Sequence, residues 1–215
     1  GRSQMNLVGE PEMIGMAAAQ YSEFLGQTPP LPDSDARVRQ VRAVGRKLAD
    51  AATQYLTENR AADRVAGFTW DFNVVNDNTV NAWCMPGGKV VVYTGILPIT
   101  QDETGLAVVM GHEIAHAIAR HGNERMSQAI AIQGTGMTQE VHTGEKPAPA
   151  RDLFLQSFGI GSTLGMLAFS RKHETEADKM GLVFMAMAGY DPREAPRFWQ
   201  RMSQVGGQAP PVLLS

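Results

Sequence analysis

Cysteine is almost absent from this chain. Its 215 residues include one, Cys84, so no disulfide can form within it and any core must hold by packing alone. A chain of this length can build such a core. An excess of basic charge is missing as well. Nineteen Lys and Arg stand against 22 Asp and Glu, a formal net charge of −3, which argues against a nucleic-acid binder with its usual basic stripe. Long apolar runs are also lacking. The longest uncharged stretch, Leu153 to Ser170, is broken by Gln156, Ser157, Ser162, Thr163 and three glycines. About ten apolar residues remain where a membrane span needs about twenty. No signal peptide is visible, and because the chain opens on Gly1 rather than Met, a trimmed start with its address upstream is expected. The 43% of hydrophobic residues exclude a disordered composition. Length predicts a single domain over 1–215, with a helix and linker in 1–32 and a tail in 205–215.

What is present is organised by period. A weak helical pattern runs from Glu10 to Leu25 and stops at the prolines 29, 30 and 32. Val38, Val41, Val44, Leu48, Ala52 and Tyr55 then recur every three or four residues, an amphipathic helix that Asp33 or Ser34 can cap, with its arginines in solvent. Phe68, Trp70, Phe72 and Val74 alternate with Thr69, Asp71 and Asn73, as in a strand buried on one face. A second strand is expected in Val80 to Met85 and a third in Lys89 to Tyr93, across the turn Pro86-Gly87-Gly88. From Thr100 to about Ile132 the pattern predicts one long helix. Gln133 to Ala150 has no period and reads as a loop or lid. Helical signals return near Leu153 and from His173 to Ala188, where Gly189 takes the C-cap position, and again after Asp191-Pro192-Arg193-Glu194, a helix-start signature. Met180, Met185 and Met187 read as adaptable core filling.

The chemistry sits in His112-Glu113-Ile114-Ala115-His116. Residues four apart on a helix differ by about 40° in direction and about 6 Å in height, so both imidazoles can meet one tetrahedral zinc ion. Glu113 lies beside that face, within reach of an attacking water, and suits the role of general base. A catalytic zinc needs a third protein ligand and an open fourth position. His121 does not qualify: on a continuous helix it points about 140° away from His116, which predicts a helix-surface residue. Glu174 is the better candidate. Asp178 follows it by one turn on the same face, placed to accept the outer N–H of His112 or His116 and orient that ring. Glu176 points about 200° from Glu174, so the two cannot both be ligands, and His173 reads as a surface residue.

These residues, with Ala119-Arg120-His121, Ser170-Arg171, Ala177, Asn81-Ala82, Pro86-Gly87-Gly88 and the opening residues 1–8, resemble the gluzincin metallopeptidases that include the CAAX prenyl endopeptidases and HtpX. Within that family the likeness is to soluble BepA-like and LoiP-like envelope members. The resemblance implies an α+β zincin-like fold, mainly helical, with a small twisted sheet above the HExxH helix. It implies a zinc endopeptidase with one Zn2+ per chain, His112, His116 and Glu174 as ligands, Glu113 as the base and Asp178 as a steadying group. It also implies that Asn81 and Ala82 hold the substrate backbone at the sheet edge. An exposed edge reads extended polypeptide with little regard to sequence, so unfolded or misassembled proteins are the expected substrates. The implied location is the bacterial envelope, periplasmic, with an outer-membrane lipid anchor in a longer precursor. Envelope relatives continue into a Thr-His-Pro segment about where this chain stops, at Val212-Leu213-Leu214-Ser215. Tyr93, His142, Arg171 and Tyr190 are open candidates for stabilising the oxyanion. Two rival readings are a chaperone-like holdase with latent proteolysis and a structural-zinc protein. The second lacks a fourth Cys or His at tight spacing.

Overall fold

The strand β3 (Lys89–Tyr93) organises the sheet. It pairs in parallel with β1 (Asp71–Val75), in register Asp71↔Lys89 to Val75↔Tyr93, and antiparallel with β2 (Ala82–Met85), Ala82 lying opposite Val92. The order is therefore β1-β3-β2, with β2 on an edge. The turn between β2 and β3 depends on Gly87 and Gly88, both at positive φ (88° and 84°), a region that side chains with a Cβ avoid. The computed structural model describes residues 3–133, 148–160, 166 and 168–205. The expected fold class, mainly helical with a small sheet, is what it contains.

Helices cover both faces of the sheet. Phe72, Val74, Ala82, Cys84, Val90 and Val92 point into the larger core. There they meet α2 (Ala36–Glu58), α4 (Glu103–Ile118), α7 (Arg171–Met187) and α8 (Ala195–Gln204). Val75, Trp83, Met85, Val91 and Tyr93 point the other way, against α1 (Glu10–Gln27) and α6 (Ala148–Phe158). A short α3 (Leu97–Thr100) leads into α4, and α5 (His121–Gln133) follows it.

This layering corrects the expectation that β1 is buried on one face only. Asn73 is itself buried, because α1 lies over it. Its side chain donates to the Tyr21 hydroxyl at 2.7 Å and accepts from Arg42 at 3.1 Å, and Tyr21 in turn donates to Asp71. The polar half of the alternation is thus a paired network under a helix. The cap of α2 is Asp35, which accepts from the Arg37 N–H, and not Asp33 or Ser34. Asp102 caps α4 and Ser170 caps α7, each such cap contributing about 1 kcal/mol. Gly189, at φ 94°, follows α7 as expected. Of the three methionines, Met185 is buried, Met180 half-buried and Met187 exposed. The region read as a loop from Gln133 to Ala150 already enters α6 at Ala148; residues 134–147 lie outside the described residues.

The larger correction falls between α4 and α5, where one long helix was expected. The helix stops at Ile118. Arg120 takes a left-handed conformation (φ 61°) and the chain restarts as α5 in a new direction. No proline or glycine at 119 or 120 announces the break.

α4 runs through the middle of the larger core, with 13 of its 16 residues buried. A helix surrounded on every side needs apolar residues all round, which is why its two histidines stand out. It approaches α7 closely at Gly111 and Gly181. A Cβ on Gly181 would come within 3.1 Å of the Gly111 carbonyl carbon and of the His112 nitrogen. Glu174, Asp178 and Gly181 share one face of α7, so this contact brings both carboxylates up to the histidines. Among the described residues no helix is long and apolar enough to cross a membrane.

Candidate metal centre

Three of the predicted residues converge. His112 and His116 project from α4 with their Nε2 atoms 3.0 Å apart. Glu174, in the first turn of α7, reaches between them, Oε2 lying 3.0 Å from His112 Nε2 and Oε1 3.5 Å from His116 Nε2. The three donor atoms lie within 4.8 Å of one another and all three residues are buried. Metal–ligand bonds of about 2.0–2.1 Å in a tetrahedron set ligand atoms about 3.3 Å apart. The observed spacings straddle that value, so two imidazoles and one carboxylate fit a zinc ion with one position left open. The Phe169 backbone N–H donates to Glu174 Oε1 at 3.0 Å and fixes that carboxylate.

Asp178 lies beside His112, not His116: its Oδ1 is 2.9 Å from His112 Nδ1, at ion-pair distance although not aligned as a hydrogen bond. His116 turns its Nδ1 to His121, 2.8 Å away. His121 is therefore no helix-surface residue. It is fully buried, carried back toward His116 by the reversal at Arg120. His173 is also buried, stacked on His121 with ring centres 4.3 Å apart and paired with Glu124 at 3.0 Å. Glu176, excluded as a ligand on geometry, faces His121 at 3.3 Å. Phe169 stacks on His116 (4.3 Å), and Trp199 meets His112 edge-on (5.0 Å). Those two rings had no signal in the sequence beyond their being aromatic.

The charges are set by the same contacts. Burial pulls the His112 pKa down, but the Asp178 and Glu174 carboxylates outweigh it and push the imidazole up to about 10. Burial takes His116 down to about 3. Glu174 stays well below the usual carboxylate range because the two histidines overcome its own burial. As protein groups alone, the three share one proton, held on His112, and a cation takes the place of that proton. Glu113 is half-buried beside them. Burial, helped by the Glu174 charge, lifts its carboxyl to about 8, near the value that suits a group taking and returning protons.

A cleft between β2 and α4 holds Asn81, Ala82, Cys84, Glu113, His116 and Phe169. Asn81 is almost fully buried, and its Nδ2 has no acceptor in hydrogen-bonding geometry among the described residues. The Cys84 thiol is pushed far above its ordinary pKa, first by burial and then by Glu113, so it is not a nucleophile. Two of the oxyanion candidates are engaged elsewhere. Tyr93 accepts from the Trp83 indole and Tyr190 donates to Glu103. Arg171 is exposed at the start of α7, and His142 lies outside the described residues.

The sequence agrees with this geometry from another direction. Residues 35–214 match the model of peptidase family M48. The chain belongs to peptidase family M48. The mitochondrial metalloendopeptidase OMA1 of Schizosaccharomyces pombe is 39% identical over 154 residues, 69% of this chain and 42% of that protein. OMA1 of Saccharomyces cerevisiae is 33% identical over 206 residues, covering 94% of this chain and 57% of that protein. The β-barrel assembly-enhancing protease of Yersinia pestis is 28% identical over 194 residues, 84% of this chain and 40% of that protein. The chain thus spans about 40–57% of the length of these relatives, two of which are named mitochondrial and one of which comes from a bacterium.

Proposed function

We propose that this M48 chain is a zinc-dependent endopeptidase domain that cuts internal bonds of unfolded or misassembled polypeptides. The observation that carries the reading is the convergence of His112, His116 and Glu174 within 4.8 Å, with Glu113 beside them. In it, His112, His116 and Glu174 hold the ion, and Asp178 steadies His112. A bound zinc supplies Lewis acidity for the scissile carbonyl and acidifies the attacking water. The Glu113 carboxylate accepts a proton from that water and passes it to the leaving nitrogen.

The outer edge of β2 is where the substrate lies, as an added strand. Asn81 supports this. A buried amide nitrogen without an acceptor costs about 1–3 kcal/mol, and a peptide carbonyl in the cleft would satisfy it, with Ala82 offering main-chain groups beside it. The expected envelope address draws on likeness to the β-barrel assembly-enhancing proteases alone, since the OMA1 proteins are named mitochondrial, and no relative's name speaks for the lipid anchor.

Cleavage of a reduced, unstructured protein by the zinc-loaded chain, run beside Glu113→Gln at matched zinc content, tests the reading. The parent is expected to cut and the variant to lose at least about a hundredfold in rate, the scale of a lost general base. Equal rates in the two proteins would exclude Glu113 as the base.

A further inference from the structure

The pairing of His116 with His121 has a defined direction. An imidazole that binds a metal through Nε2 must keep that nitrogen free of a proton, so when neutral it carries its proton on Nδ1. His116 Nδ1 lies 2.8 Å from His121 Nδ1. Two facing nitrogens at that distance need one proton between them. If His121 supplied it, the His116 proton would sit on Nε2 and block the ion. His116 must therefore donate and His121 accept. A neutral His121 that accepts at Nδ1 carries its own proton on Nε2, and that atom lies 3.3 Å from Glu176 Oε2. The His121 ring has little freedom to turn away, being fully buried and stacked 18° from parallel on His173, which Glu124 holds in turn.

We propose that His121 is a positioning residue for His116. It fixes the tautomer and ring direction of that ligand through an Nδ1–H···Nδ1 hydrogen bond, and Glu176 holds His121 in the complementary tautomer. The proposal rests on the reading of His116 as a metal ligand. It gives the two histidines different supports, an anion (Asp178) behind His112 and a neutral acceptor behind His116. Outer partners of this kind typically contribute about 10–100-fold to metal affinity.

The test uses the zinc-loaded 15N-labelled chain. A scalar coupling across the hydrogen bond between the two Nδ1 atoms is the expected result and needs no variant. Zinc affinity is then measured by chelator competition for the parent, His121→Leu and His121→Asn, with melting temperatures alongside. Asn places an oxygen acceptor where Nδ1 stood and Leu has the same shape without it, so a merely structural role would not separate the two. Leu is expected to weaken zinc binding about tenfold or more, and Asn to return it to within about threefold of the parent. Absence of the coupling, Leu binding zinc as tightly as the parent, or Asn no better than Leu would each overturn the proposal. A parent that binds no zinc would remove the metal reading itself, and a variant that fails to fold leaves the coupling to decide.

Discussion

At the scale of single residues, the proposed site is an arrangement for keeping one proton where a cation belongs. His112 holds that proton because Asp178 and Glu174 outweigh its burial and set its pKa near 10 in place of 6.5. A metal ion must displace it. Below pH 10 the proton competes, so zinc affinity rises with pH, by about tenfold per unit between roughly pH 7 and 9. The same raised pKa means that charged His112 stabilises the metal-free fold fully below pH 6.5 and loses that effect as pH rises toward 10. At pH 7 calorimetry in buffers of different ionisation enthalpy should therefore find at least one proton released per zinc bound. Release of none would mean that His112 is already neutral and that its carboxylate neighbours do not act as described. The residues that gather here, though not their charges, were legible in the sequence. The four-residue spacing of His112 and His116 and of Glu174 and Asp178 states which groups share a face. His121 does not lie outward because a left-handed Arg120, which leaves no mark in composition, turns it back inward. His173 is buried because α5 packs His121 and Glu124 over the start of α7, a tertiary contact that no local pattern shows.

Among the elements, the pair α4 and α7 sets the spacing of the centre. Their backbones meet at Gly111 and Gly181, one turn from Asp178 on the same face. A methyl at 181 meets backbone atoms, which cannot turn aside as a side chain can, so the helices must separate by a few tenths of an ångström. Gly181→Ala is expected to destabilise the fold by about 1–2 kcal/mol despite its better helix propensity, and to weaken zinc binding as well. Gly15→Ala on α1 is the control, since nothing lies within 4 Å of its added Cβ; it should be neutral or stabilise by up to about 1 kcal/mol. Denaturant melts of both variants decide the point. A Gly181→Ala protein as stable as the parent would show that the close approach is not what holds the carboxylates in place. The helices and strands themselves followed from hydrophobic period. The sheet order did not, because the parallel pairing of β1 with β3 comes from the helices that pack on both faces, and a local pattern carries no trace of it.

For the molecule as a whole, the proposed ligands come from two helices about sixty residues apart in sequence, α4 and α7, and an ion between them would tie the larger core together. Stabilisation by a ligand that binds only the native state follows RT ln(1 + [L]/Kd), about 2.7 kcal/mol at a hundredfold excess over Kd. For a chain of this length that corresponds to a rise in Tm of about 5–11 °C. Chelation should reverse the rise, and a melt unchanged by zinc would place any bound ion outside the folded core. The family match over 35–214 and the convergence of His112, His116 and Glu174 support the metallopeptidase reading by separate routes, one from sequence and one from side-chain geometry. The most direct test of the central claim is a crystal of the zinc-loaded chain measured at the zinc absorption edge. One anomalous peak is predicted, about 2.0–2.1 Å from His112 Nε2, His116 Nε2 and a Glu174 oxygen, with the fourth position free of protein. A peak elsewhere, or a fourth protein ligand closing the site, would contradict it.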